Sequence, residues 1–143
     1  MIKKVIPIMD TMFALDGGAM FGVVPKTLWN RTNPADDKNR IDLAMRTTYI
    51  ELDDRKILID TGIGHKSNEK FDNMFKVNRN QDLSLNLGKE SISFDEITDI
   101  IITHLHFDHA GGNTILNEDG KLIVKPNSQL LIPLDNIKQN KLK

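Results

Sequence analysis

Apolar and polar positions in the first part of the chain follow patterns that are typical of β-strands. The run "KKVIPIM", from Lys3 to Met9, predicts a first strand. The runs Thr47–Leu52 and Lys56–Ile59 flank the turn residues 53–55 and predict a β-hairpin. Between these elements, "MFGVV" predicts a short strand that follows a tight turn at two glycines, and the polar stretch "NRTNPADDKNR" predicts a surface loop.

The middle of the chain has the spacing of helices. A mixture of charged and aromatic residues over positions 69–75 predicts one helical segment. Leu83 and Leu87 lie four residues apart and predict another helix, with Gly88 at the position just after its end. Ser93 and Glu96 have the S-x-x-E spacing of a capping box, which predicts one further short turn.

The last part of the chain returns to strand patterns. The β-branched run "DIIIT" predicts a buried strand. After Gly111 and Gly112 we expect a short helix near Thr114–Leu116, and "LIV" and "QLLI" predict two more strands. The polar end "NIKQNKLK" is expected to fray. The order of strands, helices, strand, helix and strands predicts a mixed α/β (α+β) fold.

Length and charge narrow the class of protein. With 143 residues, 39% apolar and 27% charged, the chain has the size and composition of one globular domain, which we place over residues 1–143. The formal net charge of −1 gives no long-range field, so we expect neither nucleic acid nor a membrane surface as a partner. The apolar run near the start is too short for a signal peptide, which makes a cytoplasmic location the default expectation.

The chain has no cysteine, and this limits the metal chemistry available to it. Disulfides and thiolate metal sites are excluded. Any metal ion has to be held by His, Asp or Glu, which favours zinc, iron, manganese or nickel.

Three of the four histidines of the chain fall within six residues, in the stretch "THLHFDHAGG" that follows the predicted buried strand. His104 and His106 are two residues apart, so at the end of a strand they point the same way and can bind one metal ion. Asp108 and His109 lie on the turn beyond and can face a second ion. Two metal ions roughly 3.5–4 Å apart can hold a hydroxide that is present at neutral pH and attacks a substrate.

Two plainer interpretations stay open for this cluster. A histidine at a strand end is more often an ordinary surface or core residue than a ligand. A histidine-rich tract can also bind transition metals without catalysing a reaction. Four candidate ligands within six residues favour the hydrolase interpretation over both.

The stretch "THLHFDHAGG" resembles the H-x-H-x-D-H signature of the metallo-β-lactamase-fold hydrolases at every position, and "ILIDTG" is similar to an earlier motif of that superfamily. The segment "DGGAMFGVVPK" looks like the lactonase-like branch, which includes the acyl-homoserine-lactone lactonases. The resemblance implies an αββα sandwich, of which this chain is the half with a mixed sheet and helices on one face. It also implies two zinc ions at the sheet edge.

The resemblance also assigns roles to individual residues. His104 and His106 would bind the first metal ion, and Asp108 and His109 the second. Asp108 would in addition be catalytic, because it would orient the attacking hydroxide and help to move protons. Asp60 would support the ligands from behind. An ordinary turn residue at the end of a strand is an equally good interpretation of Asp60.

This chain departs from the superfamily pattern after His109, because it has no further histidine. The complete pattern needs another histidine for each metal ion and a bridging carboxylate, and such hydrolases are about twice as long. We therefore expect the chain to correspond to the N-terminal half, with weak or partial zinc binding and iron or manganese as alternatives. His65 precedes the cluster on a predicted loop, and we expect it to be exposed.

Three functional hypotheses follow. The first is a zinc-dependent hydrolase of an ester-like bond, with a lactone favoured as substrate, in which this chain lacks ligands for full activity. The second is a non-catalytic metal-binding fragment that associates with itself or with the missing half, since half a sandwich leaves an apolar sheet face uncovered. The third is an iron-dependent oxygenase-type relative.

Overall fold

The computed structural model describes residues 1–124 and 129–131. Its first two strands, β1 (Ile2–Asp16) and β2 (Arg40–Leu52), form a long antiparallel pair. The strand β3 (Lys56–Ile59) returns antiparallel to β2, and β4 (Asp99–Ile101) lies parallel to β3. These pairings confirm the predicted hairpin and the predicted buried strand.

Three short strands follow in the described part of the chain. β5 (Thr114–Leu116) and β6 (Leu122–Val124) form a separate antiparallel pair. β7 (Gln129–Leu131) joins the main sheet parallel to β4, which gives the strand order β1-β2-β3-β4-β7. The main sheet is therefore mixed, with an antiparallel half and a parallel half.

The helices are short. They are α1 (Gly17–Phe21), α2 (Lys26–Trp29), α3 (Glu69–Phe75), α4 (Leu83–Lys89) and α5 (Phe107–Ala110), with two 3-10 turns at Phe94–Glu96 and Gly111–Asn113. Side chains just before α3 and α4 stabilise their first turns, because Asn68 and Asp82 each accept a hydrogen bond from a backbone N–H three residues on. None of the helices in the described ranges is long and apolar enough to cross a membrane.

The core lies on one face of the main sheet, where α4 packs against it. Leu83 and Leu87 of α4 are buried against side chains from each of the strands β1 to β4, among them Tyr49, Leu58 and Ile100. Burial of a side chain of this size stabilises the fold by about 1.5–3 kcal/mol. A second apolar cluster, formed by Phe13, Met45 and Ile63 with Phe71 and Phe107 packed against it, lies under the segment that carries the histidines.

The predicted α/β class, with a mixed sheet and helices on one face, is confirmed. The capping box at Ser93 and Glu96 is also present, and its two hydrogen bonds stabilise the start of the 3-10 turn. The polar end of the chain lies outside the described residues, so its expected fraying stays a prediction, as does the single domain over residues 1–143.

Three local predictions were wrong, and hydrogen bonds in the structure explain two of them. Residues 20–24 are not a strand, because Asp16 accepts a hydrogen bond from the backbone N–H of Ala19 and starts α1 at the paired glycines. Thr114–Leu116 is a strand because it pairs with Leu122–Val124 across a turn. Gly88 lies inside α4, which continues to Lys89.

Candidate metal centre

The three clustered histidines lie where β4 gives way to a loop. β4 ends at Ile101, His104 follows three residues later, and His106 stands at the N-cap position of α5. Asp108 and His109 lie within that single helical turn. The sequence therefore places the cluster correctly at a strand end, while the turn predicted for Asp108 and His109 is a short helix.

The imidazole rings of the cluster are close together. The ring centroid of His104 is 4.7 Å from that of His106 and 3.9 Å from that of His109. Burial lowers the pKa of His104, and the nearby His109 and His106 lower it further. His104 is thus held in surroundings that favour its neutral form, which is the form that binds metals.

Asp60 lies directly behind the cluster and is almost fully buried. Its carboxylate accepts hydrogen bonds from the backbone N–H of Thr103 at 2.8 Å and from the Thr103 hydroxyl at 2.8 Å. It also lies 2.8 Å from Nδ1 of His109. The backbone of Asp60 has a φ of +65°, a left-handed conformation that aspartate tolerates in turns. Both features that the sequence left open, a turn and a contact with a ligand candidate, are found at this residue.

These hydrogen bonds determine which nitrogen of each ring carries its proton. The carboxylate of Asp60 only accepts, so the single hydroxyl hydrogen of Thr103 points to it. The Thr103 oxygen then accepts from Nδ1 of His104 at 3.0 Å, and Asp60 accepts from Nδ1 of His109. In their neutral forms both imidazoles therefore present the lone pair of Nε2 away from Asp60. A hydrogen bond on the far nitrogen is the usual way in which proteins orient a metal-binding histidine.

The spacing of Asp108 and His109 matches that of two ligands of one cation. Oδ2 of Asp108 lies 3.4 Å from Nε2 of His109. Two donors bound to one tetrahedral ion at about 2.0–2.2 Å would themselves be about 3.4 Å apart. Imidazole and carboxylate donors are also ligands that zinc accepts. Within residues 1–124 and 129–131, however, no three His, Asp or Glu side chains already converge as a complete set of ligands.

The backbone of the cluster is locked against the loop that follows β3. Thr61 donates its backbone N–H to the carbonyl of His109 at 2.8 Å, and its hydroxyl lies 2.9 Å from the side-chain oxygen of Asn113. A Cβ on Gly111 would lie 2.1 Å from the carbonyl oxygen of Ile63. Only glycine permits this close approach of two backbones, so the glycines after the histidines set the position of His109.

Two supporting residues were missed by the sequence analysis. Asp10 is a buried acid whose carboxylate accepts from the backbone N–H of Ile63 at 2.8 Å and of Leu83 at 3.0 Å, and burial raises its pKa. Arg79 donates to Asp72 through two nitrogens and to the carbonyl of Gly64 at 2.6 Å. The signal for Asp10 was an acidic residue inside the apolar run of a strand. No local signal pointed to Arg79.

The remaining histidine, His65, lies on the loop after β3 and contacts Asp82. The His65 side chain is 61% exposed, and its Nε2 lies 3.7 Å from a carboxylate oxygen of Asp82. This agrees with the expectation that His65 is exposed. Phe107, which stands between the candidate ligands, packs edge-on against Phe13 and Phe71 and so belongs to the apolar cluster beneath them.

Known structures resemble this fold over nearly the whole chain. A probable metal-dependent hydrolase from Staphylococcus aureus is 31% identical with a TM-score of 0.82, and the match covers 95% of this chain and 48% of that one. AidC, a dizinc quorum-quenching lactonase solved with the product N-hexnoyl-L-homoserine, is 24% identical with a TM-score of 0.65, covering 96% and 46%. AiiA of B. thuringiensis, solved with N-decanoyl-L-homoserine at its active site, is 21% identical with a TM-score of 0.62, covering 92% and 60%.

The chain spans about half the length of the first of these structures, and no curated protein matches it. The likeness to AidC and AiiA establishes the fold alone, since both are less than 25% identical. The sequence profile of the Metallo-beta-lactamase superfamily matches residues 46–129, which is more than half of the chain and includes Asp60 and the histidine cluster. The resemblance seen in the sequence is therefore confirmed, and the chain belongs to the metallo-β-lactamase superfamily.

Proposed function

We propose that this chain supplies part of the active site of a metal-dependent hydrolase that cleaves an ester-like bond, with a lactone as the favoured substrate and zinc as the metal. The observation that carries the proposal is the hydrogen-bond network of Asp60, which leaves the Nε2 lone pairs of His104 and His109 available. Superfamily membership and the likeness to AidC, a dizinc lactonase, support the choice of reaction and metal.

His104 and His106 would hold one metal ion, and Asp108 and His109 another. A bound metal ion would polarise the substrate carbonyl and lower the pKa of water. Asp60 and Thr103 would keep the rings of His104 and His109 in the correct tautomer. In this scheme, residues of the chain position the ligands before substrate arrives, which lowers the entropy lost on binding.

The net reaction adds water across a C–O single bond. A new C–O bond forms at the carbonyl carbon, the bond to the leaving alcohol breaks, and the alcohol oxygen takes the proton that water gave up. We assign this proton transfer to the carboxylate of Asp108, whose Oδ2 lies beside His109. General acid–base transfer of this kind contributes about 10²–10⁴-fold to a rate.

Zinc titration of the purified chain tests the metal site, with hydrolysis of a chromogenic lactone as the second measurement. His106→Ala should weaken zinc binding at least about 10-fold, which is about 1.4 kcal/mol. His65→Ala is the matched control, because it removes a histidine outside the cluster and should leave zinc binding unchanged. Equal losses in the two variants would contradict the assignment of the metal site to the cluster.

A second candidate function rests on the other face of the sheet. Ile57, Ile59 and Ile101 remain partly exposed there, while their neighbours Leu58 and Ile100 on the opposite face are buried. Partly exposed isoleucines side by side favour association. We propose that the chain self-associates through this face as a metal-binding module. Zinc binding without lactone hydrolysis, together with a dimer in sedimentation equilibrium, would favour this candidate. A well-behaved monomer would exclude the self-association.

A further inference from the structure

A cleft with a volume of about 660 Å³ opens beside the histidine cluster. His106 lies on its wall, and most of the remaining wall is apolar, including Ile63, Leu105, Leu116 and Leu122. Clefts of this size and character hold small ligands, with a few polar groups that fix their orientation. The cleft therefore has room for an apolar chain next to a residue that we assign to metal binding.

Lys66 is the cationic side chain of this cleft. It is partly buried, and it also lines a smaller hollow of about 210 Å³ on the other side, next to His65 and Thr114. Its Nζ donates a hydrogen bond to the carbonyl of Gly111. Burial lowers the pKa of Lys66, and in the part of the chain that the structure describes no carboxylate lies at ion-pair distance from it.

Within residues 1–124 and 129–131, the partners of Lys66 use only part of its hydrogen-bonding capacity. An ammonium group has three hydrogens to donate, and the Gly111 carbonyl takes one of them. A partly buried charge without a counter-charge is costly, so an anion placed beside it would be favoured. Such an anion would sit at the polar end of an otherwise apolar cleft, as in a site for an amphipathic ligand.

We propose that Lys66 binds the carboxylate of an amphipathic acid whose apolar chain lies in the cleft beside His106. The choice of a carboxylate rests on the proposed function, because hydrolysis of an ester or lactone releases one. Lys66 would then hold the acid product after the reaction.

Binding of octanoate and of 1-octanol to the purified chain tests the proposal, measured by calorimetry in the presence of a chelator. Octanoate should bind the wild-type chain at least about 10-fold more tightly than 1-octanol does. Lys66→Met removes the charge but keeps the length of the side chain, and it should abolish this preference. Lys66→Arg should retain it.

Lys70→Met is the matched control, since Lys70 is exposed on α3. It should leave the preference for octanoate unchanged. Equal affinity of the wild-type chain for the two ligands, or a preference that survives Lys66→Met, would overturn the proposal. Because the chelator removes metal ions, these results are independent of the zinc titration. The Lys66 site and the proposed hydrolase function can therefore be confirmed or refuted separately. Circular dichroism of each variant confirms that its fold is intact, and the Lys66→Arg variant keeps the test decisive if Lys66→Met unfolds.

Discussion

Asp10 offers the sharpest test of how the candidate metal centre is held in place. Its two carboxylate oxygens accept from the backbone N–H groups of Ile63 and Leu83, which belong to the loop after β3 and to the first residue of α4. The side chain is only 4% exposed, so water cannot easily replace either bond. Asp10→Asn keeps the shape of the side chain but turns one acceptor into an NH₂ donor.

The expected loss of stability follows from that change. One buried backbone N–H would face a second donor, and leaving a buried donor unsatisfied costs about 1–3 kcal/mol. Removing the charge offsets part of this, because burial already disfavours the ionised carboxylate and raises the pKa of Asp10. We therefore expect Asp10→Asn to lower the free energy of unfolding by about 1–2 kcal/mol. Asp10→Ala leaves both donors unsatisfied and should cost about twice as much.

Urea denaturation followed by circular dichroism measures this difference. Asp54→Asn is the matched control, because it makes the same chemical change at an exposed turn position. It should change the free energy of unfolding by less than about 0.5 kcal/mol. A loss no larger in Asp10→Asn than in Asp54→Asn would refute the reasoning, since the two backbone donors would then not depend on the carboxylate.

The pH dependence provides a second check with a definite sign. The pKa of Asp10 is higher in the folded chain than its ordinary value of 3.8. At a pH between 3.8 and the raised pKa, the folded state therefore binds more protons than the unfolded state. The contribution of Asp10 to stability is then largest below pH 3.8 and falls as the pH rises through the raised pKa. The difference in unfolding free energy between the wild-type chain and Asp10→Asn should therefore shrink with rising pH.

Two further perturbations address the loop that supports the cluster. Arg79→Lys keeps the charge but loses the two-nitrogen contact with Asp72, and urea denaturation should show a loss of about 1–2 kcal/mol. Arg79 lowers the pKa of Asp72, so the loss of stability in Arg79→Lys should be largest above pH 3.8 and diminish as the pH falls below that value. A loss of stability that does not change with pH would contradict this. Gly111→Ala should cost at least about 2 kcal/mol, because the new Cβ would overlap the Ile63 carbonyl. Gly88→Ala is the control, because its new Cβ meets open space inside a helix, and it should stabilise the fold by about 0.5–1 kcal/mol. Thermal melts measure both variants. If both melting temperatures are above that of the wild type, or both below it, the argument from close backbone approach is wrong.

The parts of the fold that the sequence predicted well are those determined by neighbouring residues. The hairpin across residues 53–55 and the capping box at Ser93 depend on side chains a few positions apart. The run "DIIIT" identified β4 because an unbroken β-branched run is typical of a strand that packs into the core, as Ile100 does. The cluster of candidate ligands after that strand was also recognisable, because its four residues lie within six consecutive positions.

Several of the parts that were predicted wrongly or missed depend on contacts outside the segment itself. Residues 114–116 are predicted as a helix, but they pair with Leu122–Val124 across a turn and form a strand. The bond from Leu83 to Asp10 spans 73 positions, and no local pattern indicates it. An acid within an apolar strand was nevertheless a usable signal, since a buried carboxylate needs hydrogen-bond donors from elsewhere in the fold.

Two motifs that are distant in sequence contact each other around His109. "DTGIG" after β3 and "HAGG" after the histidines contact each other through their backbones, and Thr61 donates to the carbonyl of His109 while Asp60 contacts its ring. Consecutive residues of one loop therefore hold His109 through both its backbone carbonyl and Nδ1 of its ring. Asp10 in turn holds that loop from the side of β1. A substitution at Asp10 should thus shift His109 without touching it, and the NMR signals of the His109 ring should move more in Asp10→Asn than in the exposed control Asp54→Asn.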